Sequence, residues 1–367
     1  MATLNELQTP CLVLDRGILG RNLKRMSDTV RGHGVALRPH LKTAKSAEVA
    51  RLATRGEAGG ITVSTLAEAE YFADHGFGDI LIAAAQPPAK LDRAAKIIAE
   101  GAMVTLVTDN VAGAKAIAAH EAAFRVLVEI DSGDRRAGVI ASSDAVIDIA
   151  RALGSKLHGV LTHAGHSYSC RDIECIRQIA EAERLAVVTA AERLRAAGLD
   201  CPVVSVGSTP TMTHAERLDG VTEARPGVYM FQDLFQAAIG NCTKTDIAMT
   251  VLASVIGVNT EEKRFLIDAG ALALSKDRST ADTAGDAGYG EVWGLDGAPL
   301  EGGWTIGRVF QEHGAATGGV SIDRIELGDR VRIGPNHACI TAAAHDRYYV
   351  VDGGVEVVAE WDRVNGW

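Results

Sequence analysis

The chain has 367 residues, 47% of them hydrophobic, with 37 basic and 47 acidic side chains giving a formal net charge of -10. That length can bury a large core and favours two domains over one, while the acidic balance and the lack of any basic run exclude a nucleic-acid-binding surface. No run of about eighteen apolar residues is present to span a bilayer, and the first fourteen residues lack the charged and apolar regions of a secretion signal, so a soluble, cytoplasmic chain is expected.

Residues 11–14 form a first strand candidate. From 17 to 244, short apolar runs alternate with Ala-rich charged segments, as in repeated βα units. Eight strand candidates fall at 36–40, 60–64, 79–84, 103–109, 124–131, 157–163, 203–208 and 224–231. Eight parallel strands separated by helices predict a closed (β/α)8 TIM-type barrel, with function in the loops that follow the strands. The longest helix is expected at 172–197, its Glu and Arg residues read as a solvated face. From 245 to 367 the texture becomes β-rich, with strands expected at 250–258, 264–268, 291–294, 304–310, 330–333, 348–351 and 355–361. Turn signals between them predict a second, mostly antiparallel β domain, to which residues 1–16 are assigned. The six cysteines, without a secretion signal, read as reduced thiols.

Polar clusters stand directly after the predicted barrel strands. Arg38-Pro39-His40-Leu41-Lys42-Thr43 places a lysine at a strand end, where a partly desolvated or charge-crowded amine can form a Schiff base; Arg38 and His40 are near enough in sequence to assist. The competing reading is a surface lysine at a helix start. Asp131 to Gly138 presents Arg136 beside a Gly-rich turn, as an anion contact or an ordinary ion pair. His163-Ala164-Gly165-His166-Ser167-Tyr168 offers groups that can flank a planar ring or relay protons. Val206-Gly207-Ser208-Thr209-Pro210-Thr211 and Arg225-Pro226-Gly227-Val228-Tyr229, on the last two predicted strands, are together read as a phosphate cup. In the β domain, His337 and Cys339 project from one face if their segment is extended, supplying half of a tetrahedral zinc set; by spacing alone, such a pair also arises by chance. Glu312 and His313 are candidate supporting residues.

These motifs resemble those of the fold-type III, alanine-racemase-like pyridoxal-phosphate enzymes, and within them the metal-activated D-serine dehydratases and D-threonine aldolases. The resemblance runs from Thr9-Pro10 to the C-terminal strands. It implies pyridoxal 5'-phosphate carried on Lys42, an O3' contact from Arg136, ring-flanking residues at His163 and Tyr168, and phosphate contacts from Gly207, Ser208, Thr209, Gly227 and Tyr229. It also implies a zinc ion, or another divalent metal, on His337 and Cys339, with catalysis by Lys42, His166 and Tyr168. Pro335-Asn336-His337-Ala338-Cys339 looks like the dehydratase pattern, whereas the aldolases more often carry an aspartate as the second ligand. The implied activity is dehydration of a D-3-hydroxy amino acid, D-serine first, by a homodimer. The alternatives are retro-aldol cleavage to glycine and an aldehyde, an amino-acid racemase, and a non-catalytic cofactor-carrying barrel.

Overall fold

A computed structural model describes residues 2–320 and 322–367. Two compact units emerge: one comprises the chain through Lys24 together with Val228–Arg363, the other Arg25–Gly227 with Val364–Trp367.

In the second of these, eight strands of a nine-stranded parallel sheet follow one path, Ala36–Leu37, Ile61–Val63, Asp79–Ile82, Met103–Thr108, Arg125–Asp131, Leu157–Thr162, Val203–Val206 and Glu223–Ala224, while Val139–Ile140 pairs off it with Arg125–Asp131. Glu223–Ala224 pairs with Ala36–Leu37, and a parallel bridge from His40 to Thr62 joins the first strand to the second, closing the ring. The strands read as near-continuous apolar runs because both faces are covered; Arg125–Asp131 is buried at its five central residues. Leu81, Val107, Leu127 and Leu161, on successive strands, form one buried cluster. The intervening helices turn one apolar face inward. In Ala145–Leu153, for example, Val146, Ile149, Ala150 and Leu153 are buried at helical spacing.

The eighth strand is shorter than expected. Residues 228–230 form a 3-10 turn instead, because Arg225-Pro226-Gly227 interrupts the extended run. The long helix spans Ile173–Ala196, with Asp172 accepting a hydrogen bond from Cys175 N at its start. Contrary to a fully solvated polar face, Glu183 is fully buried and Arg184 nearly so. The six thiols are not all reduced: Cys170 and Cys175 are joined by a disulfide. The capped first turn of the helix brings Cys175 back beside the residue that ends the preceding turn, Gly165–Ser169.

In the β unit, six strands close a barrel in the order Arg264–Ile267, Gly314–Thr317, Thr305–Val309, Glu291–Trp293, Arg330–Gly334 and Met249–Asn259, the last returning to the first. Cys11–Asp15 pairs antiparallel with Met249–Asn259 and parallel with Arg347–Val351, which pairs with Ala359–Asp362. Gly314–Thr317 was not expected, since Gly-Ala-Ala-Thr carries little of the branched bulk that marks a strand. The segment holding His337 and Cys339 is not extended. His337 is the N-cap of the short helix Ala338–Ala342, and Cys339 lies in its first turn.

Candidate active site and metal niche

At the carboxyl ends of the parallel strands lies a cavity of about 280 Å³, lined among others by His40, Lys42, Glu129, Arg136, His163 and Arg225. Each comes from a strand end or the loop after it, as barrel geometry requires. Leu161 of the apolar cluster also lines it, so the cluster floors the cavity. Of the residues singled out from sequence, the cavity gathers Lys42, Arg136 and His163. His166, Tyr168, Gly207, Ser208, Thr209 and Gly227 stand outside its lining, and Tyr229 falls in the other unit, buried in the turn Val228–Met230.

Two neutral imidazoles face this cavity. Burial, then the charges of Lys42 and other cations, push His163 down to about 3. Its Nδ1 donates to the carbonyl of Gly207, which leaves the Nε2 lone pair available. His40 is held well below its usual value by burial and by Lys42, Arg225 and His163, and its Nδ1 accepts from the backbone N–H of Lys42 at 3.4 Å. Burial raises Glu129, with Arg136 pulling the other way from 3.8 Å.

Arg225, 4% exposed, opens the second phosphate-cup segment of the sequence, which assigns it no role of its own. Its guanidinium donates to Ser205 Oγ and to the carbonyl of Thr162 at 2.6 Å. Ser205 Oγ in turn donates to Glu223 at 2.6 Å. Arg38 does not assist Lys42; it is turned to Glu223 at 2.8 Å and to both oxygens of Asp79 at 3.1 and 3.0 Å. Glu183 was likewise missed. One of its oxygens accepts from Ala164 N at 2.9 Å and Gly207 N at 3.2 Å, tying together the loops that carry His163 and Gly207. Its position could have been read from its helical spacing with Ile176, Ala180, Val187 and Leu194, all buried.

The predicted phosphate cup is closely built. A Cβ at Gly227 would lie 2.9 Å from the His40 carbonyl oxygen, and one at Gly207 2.8 Å from Arg225 N. Ser208 caps the helix Thr209–His214, accepting from Thr211 N at 3.2 Å, and shares a hydrogen bond with Ser167 at 3.1 Å. With a primary amine, two guanidiniums and two neutral imidazoles around one cavity, the residues fit an anionic cofactor that bears an aldehyde.

In the β unit, His337 and Cys339 make side-chain contact despite the helical turn. Burial alone would lower His337, but hydrogen bonds to Asp277 and Cys339 and the nearby charge of Asp233 carry it up to about 11. Asp277 is lowered to about 2: burial opposes this, and hydrogen bonds from His337 and Ser279 prevail. Asp233, 1% exposed, accepts from Ala338 N at 3.0 Å and Gln236 N at 2.8 Å; burial raises its pKa. Among the described residues, no group of three or more His, Cys, Asp or Glu is arranged to hold a metal ion. An imidazole and a thiol in contact nonetheless fit a borderline-soft divalent ion such as zinc, leaving its remaining positions for water or substrate. Glu312 and His313 stand exposed on the turn closed by Phe310 N–H and the His313 carbonyl.

The chain matches the family described as "Alanine racemase, N-terminal domain" over residues 14–234, and the one described as "Putative serine dehydratase domain" over residues 248–351. It is 46% identical to D-threo-3-hydroxyaspartate dehydratase of Delftia sp. (strain HT23), over all of this chain and 99% of that protein. It is 27% identical to D-serine dehydratase of Dictyostelium discoideum, over 99% and 98% of the two chains. A solved structure of a cysteine-to-alanine variant of D-threo-3-hydroxyaspartate dehydratase, in the metal-free form, superposes with a TM-score of 0.97 at 45% identity, covering 100% of both chains. Among the described residues, no helix is long and apolar enough to cross a membrane.

Proposed function

The chain belongs to the fold-type III, alanine-racemase-like family of pyridoxal-phosphate enzymes, in the branch with a serine dehydratase domain, and from that premise we propose a metal-assisted lyase that eliminates water from a D-3-hydroxy amino acid. The observation that carries this reading is the opening of Lys42 into the same cavity as the neutral His163 and the buried Arg225. The preferred substrate is D-threo-3-hydroxyaspartate, giving oxaloacetate and ammonia. The sequence motifs favoured D-serine, giving pyruvate and ammonia; the order changes because the 46% relative, matched end to end, is named for the dicarboxylic substrate.

Pyridoxal phosphate, when bound, supplies an electron sink for negative charge at the substrate Cα. Lys42 would provide the amine that holds it and a base for the Cα proton. Arg136 and Arg225 set positive charge around an anionic ligand. His163 presents an uncharged ring with its lone pair on Nε2, so it can accept a proton or a hydrogen bond without adding a further cation. Glu183 and the Gly207 carbonyl hold that ring's loop in register. A divalent metal on His337 and Cys339 would act as a Lewis acid toward the departing hydroxyl, a poor leaving group on its own.

Purified protein given pyridoxal phosphate and zinc is expected to form oxaloacetate from D-threo-3-hydroxyaspartate faster than pyruvate from D-serine, and to lose both activities on chelation. Glycine and an aldehyde as main products would establish the aldolase reading instead. Cofactor binding with no turnover of either substrate would reduce the protein to a carrier.

A further inference from the structure

The His337 ring is held by a residue sixty positions earlier. Asp277 follows the short helix Ala271–Leu274, and its Oδ2 lies 3.4 Å from His337 Nδ1. The carboxylate is itself fixed. Its Oδ1 accepts from Ser279 N at 2.8 Å and from Ser279 Oγ at 2.5 Å. The Asp277 backbone carbonyl accepts from Asn336 Nδ2 at 3.1 Å, and that same amide donates to the Gly288 carbonyl at 2.5 Å. Asn336, 1% exposed, directly precedes His337, so the loop at 277–279 and the histidine's own backbone are tied together.

An imidazole binds a metal through one nitrogen, and the partner of the other nitrogen sets the tautomer. We propose that Asp277 is a positioning residue for the divalent-metal site: its carboxylate accepts the Nδ1 proton of His337, turns Nε2 toward the ion beside the Cys339 sulfur, and stays outside the coordination shell. The arrangement accounts for a carboxylate against His337 where no three-residue metal-holding cluster is found among the described residues. It rests on the reading of His337 and Cys339 as metal ligands.

The test measures zinc affinity by competition with a chelating indicator, on protein carrying its cofactor, for the native chain and for Asp277→Ala, Asp277→Asn and His337→Ala. Absorbance of the cobalt-substituted proteins reports the ligand set. Asp277→Ala is expected to weaken zinc 10- to 100-fold, within the range found when such outer partners are removed. Asp277→Asn, whose amide oxygen can still accept the proton, should weaken it less. Both should keep the sulfur-to-cobalt band and the ligand-field bands of the native protein. Zinc affinity within about threefold of native in Asp277→Ala overturns the proposal, and so do ligand-field bands displaced as in His337→Ala, which would make Asp277 a ligand. If Asp277→Ala does not fold, judged by its melting temperature and near-ultraviolet dichroism, Asp277→Asn decides on the same two readouts. Unchanged zinc binding in His337→Ala would instead sink the underlying metal reading.

Discussion

Two histidines, one in each unit, are driven to opposite charge states by their neighbours. His163 is buried among Lys42, Arg136 and Arg225 and falls to about 3. His337 is only part-buried, its side chain 36% exposed, and beside Asp277, Cys339 and Asp233 it rises to about 11. Burial acts in the same direction on both, so the sign of the local charge decides the outcome. The cation-rich cavity lowers its histidine and suits an anion, whereas the acid-rich niche raises its histidine and suits a cation.

The comparison breaks first at Lys42. Lys42→Ala should lower kcat/KM by at least about 10³-fold, with loss of the visible cofactor band, because holding the cofactor and taking the Cα proton depend on one amine. Retention of more than a tenth of the native kcat/KM would remove the cavity from the mechanism. Cys339→Ala strikes the other niche: activity should fall by at least about 10²-fold and bound metal should drop, as ligand loss must exceed the 10- to 100-fold effect of losing an outer partner, while the visible band remains. A colourless Cys339→Ala protein would contradict this division of labour.

Gly227→Ala perturbs the barrel unit without touching charge. The added methyl would sit 2.9 Å from the His40 carbonyl oxygen, and the overpacking should cost about 1–3 kcal/mol in urea unfolding. The pH effects are the most gradual, at most about 1.4 kcal/mol per pH unit from one residue, and their signs differ between the two histidines. His163 titrates near 6.5 when unfolded and near 3 when folded, so the unfolded chain binds the extra proton and stability falls as pH drops from about 6.5 toward 3. His337 is raised from 6.5 to about 11; with chelator present, its contribution is complete below about 6.5 and is lost as pH climbs toward 11. Urea unfolding across pH should show His163→Gln flattening the acid limb and His337→Gln the alkaline one.

The eight barrel strands were legible because parallel strands covered on both faces leave continuous apolar runs. The missed strand, Gly314–Thr317, lacks that signal, its small residues being held in place by Thr305–Val309 and Arg264–Ile267 on either side. The motif lysine and the His-x-Cys pair were readable as chemistry, yet the extended backbone assumed for the pair was wrong: the two side chains meet across a helix N-cap. Arg225 was legible only as the start of a Gly-containing segment, Asp277 gave no local sign of its contact with His337, and Glu183 gave only a spacing.

The sequence by itself determined the period of each element and the reactive groups at their ends, since these depend on neighbours a few residues apart. Tertiary structure alone decided that residues 42, 163 and 225 share one cavity, that Asp277 faces His337, and which histidine is lowered and which raised. Those outcomes follow from ring closure and strand register, which bring distant charges within a few ångströms in a poorly solvated interior, where their sign outweighs intrinsic acidity.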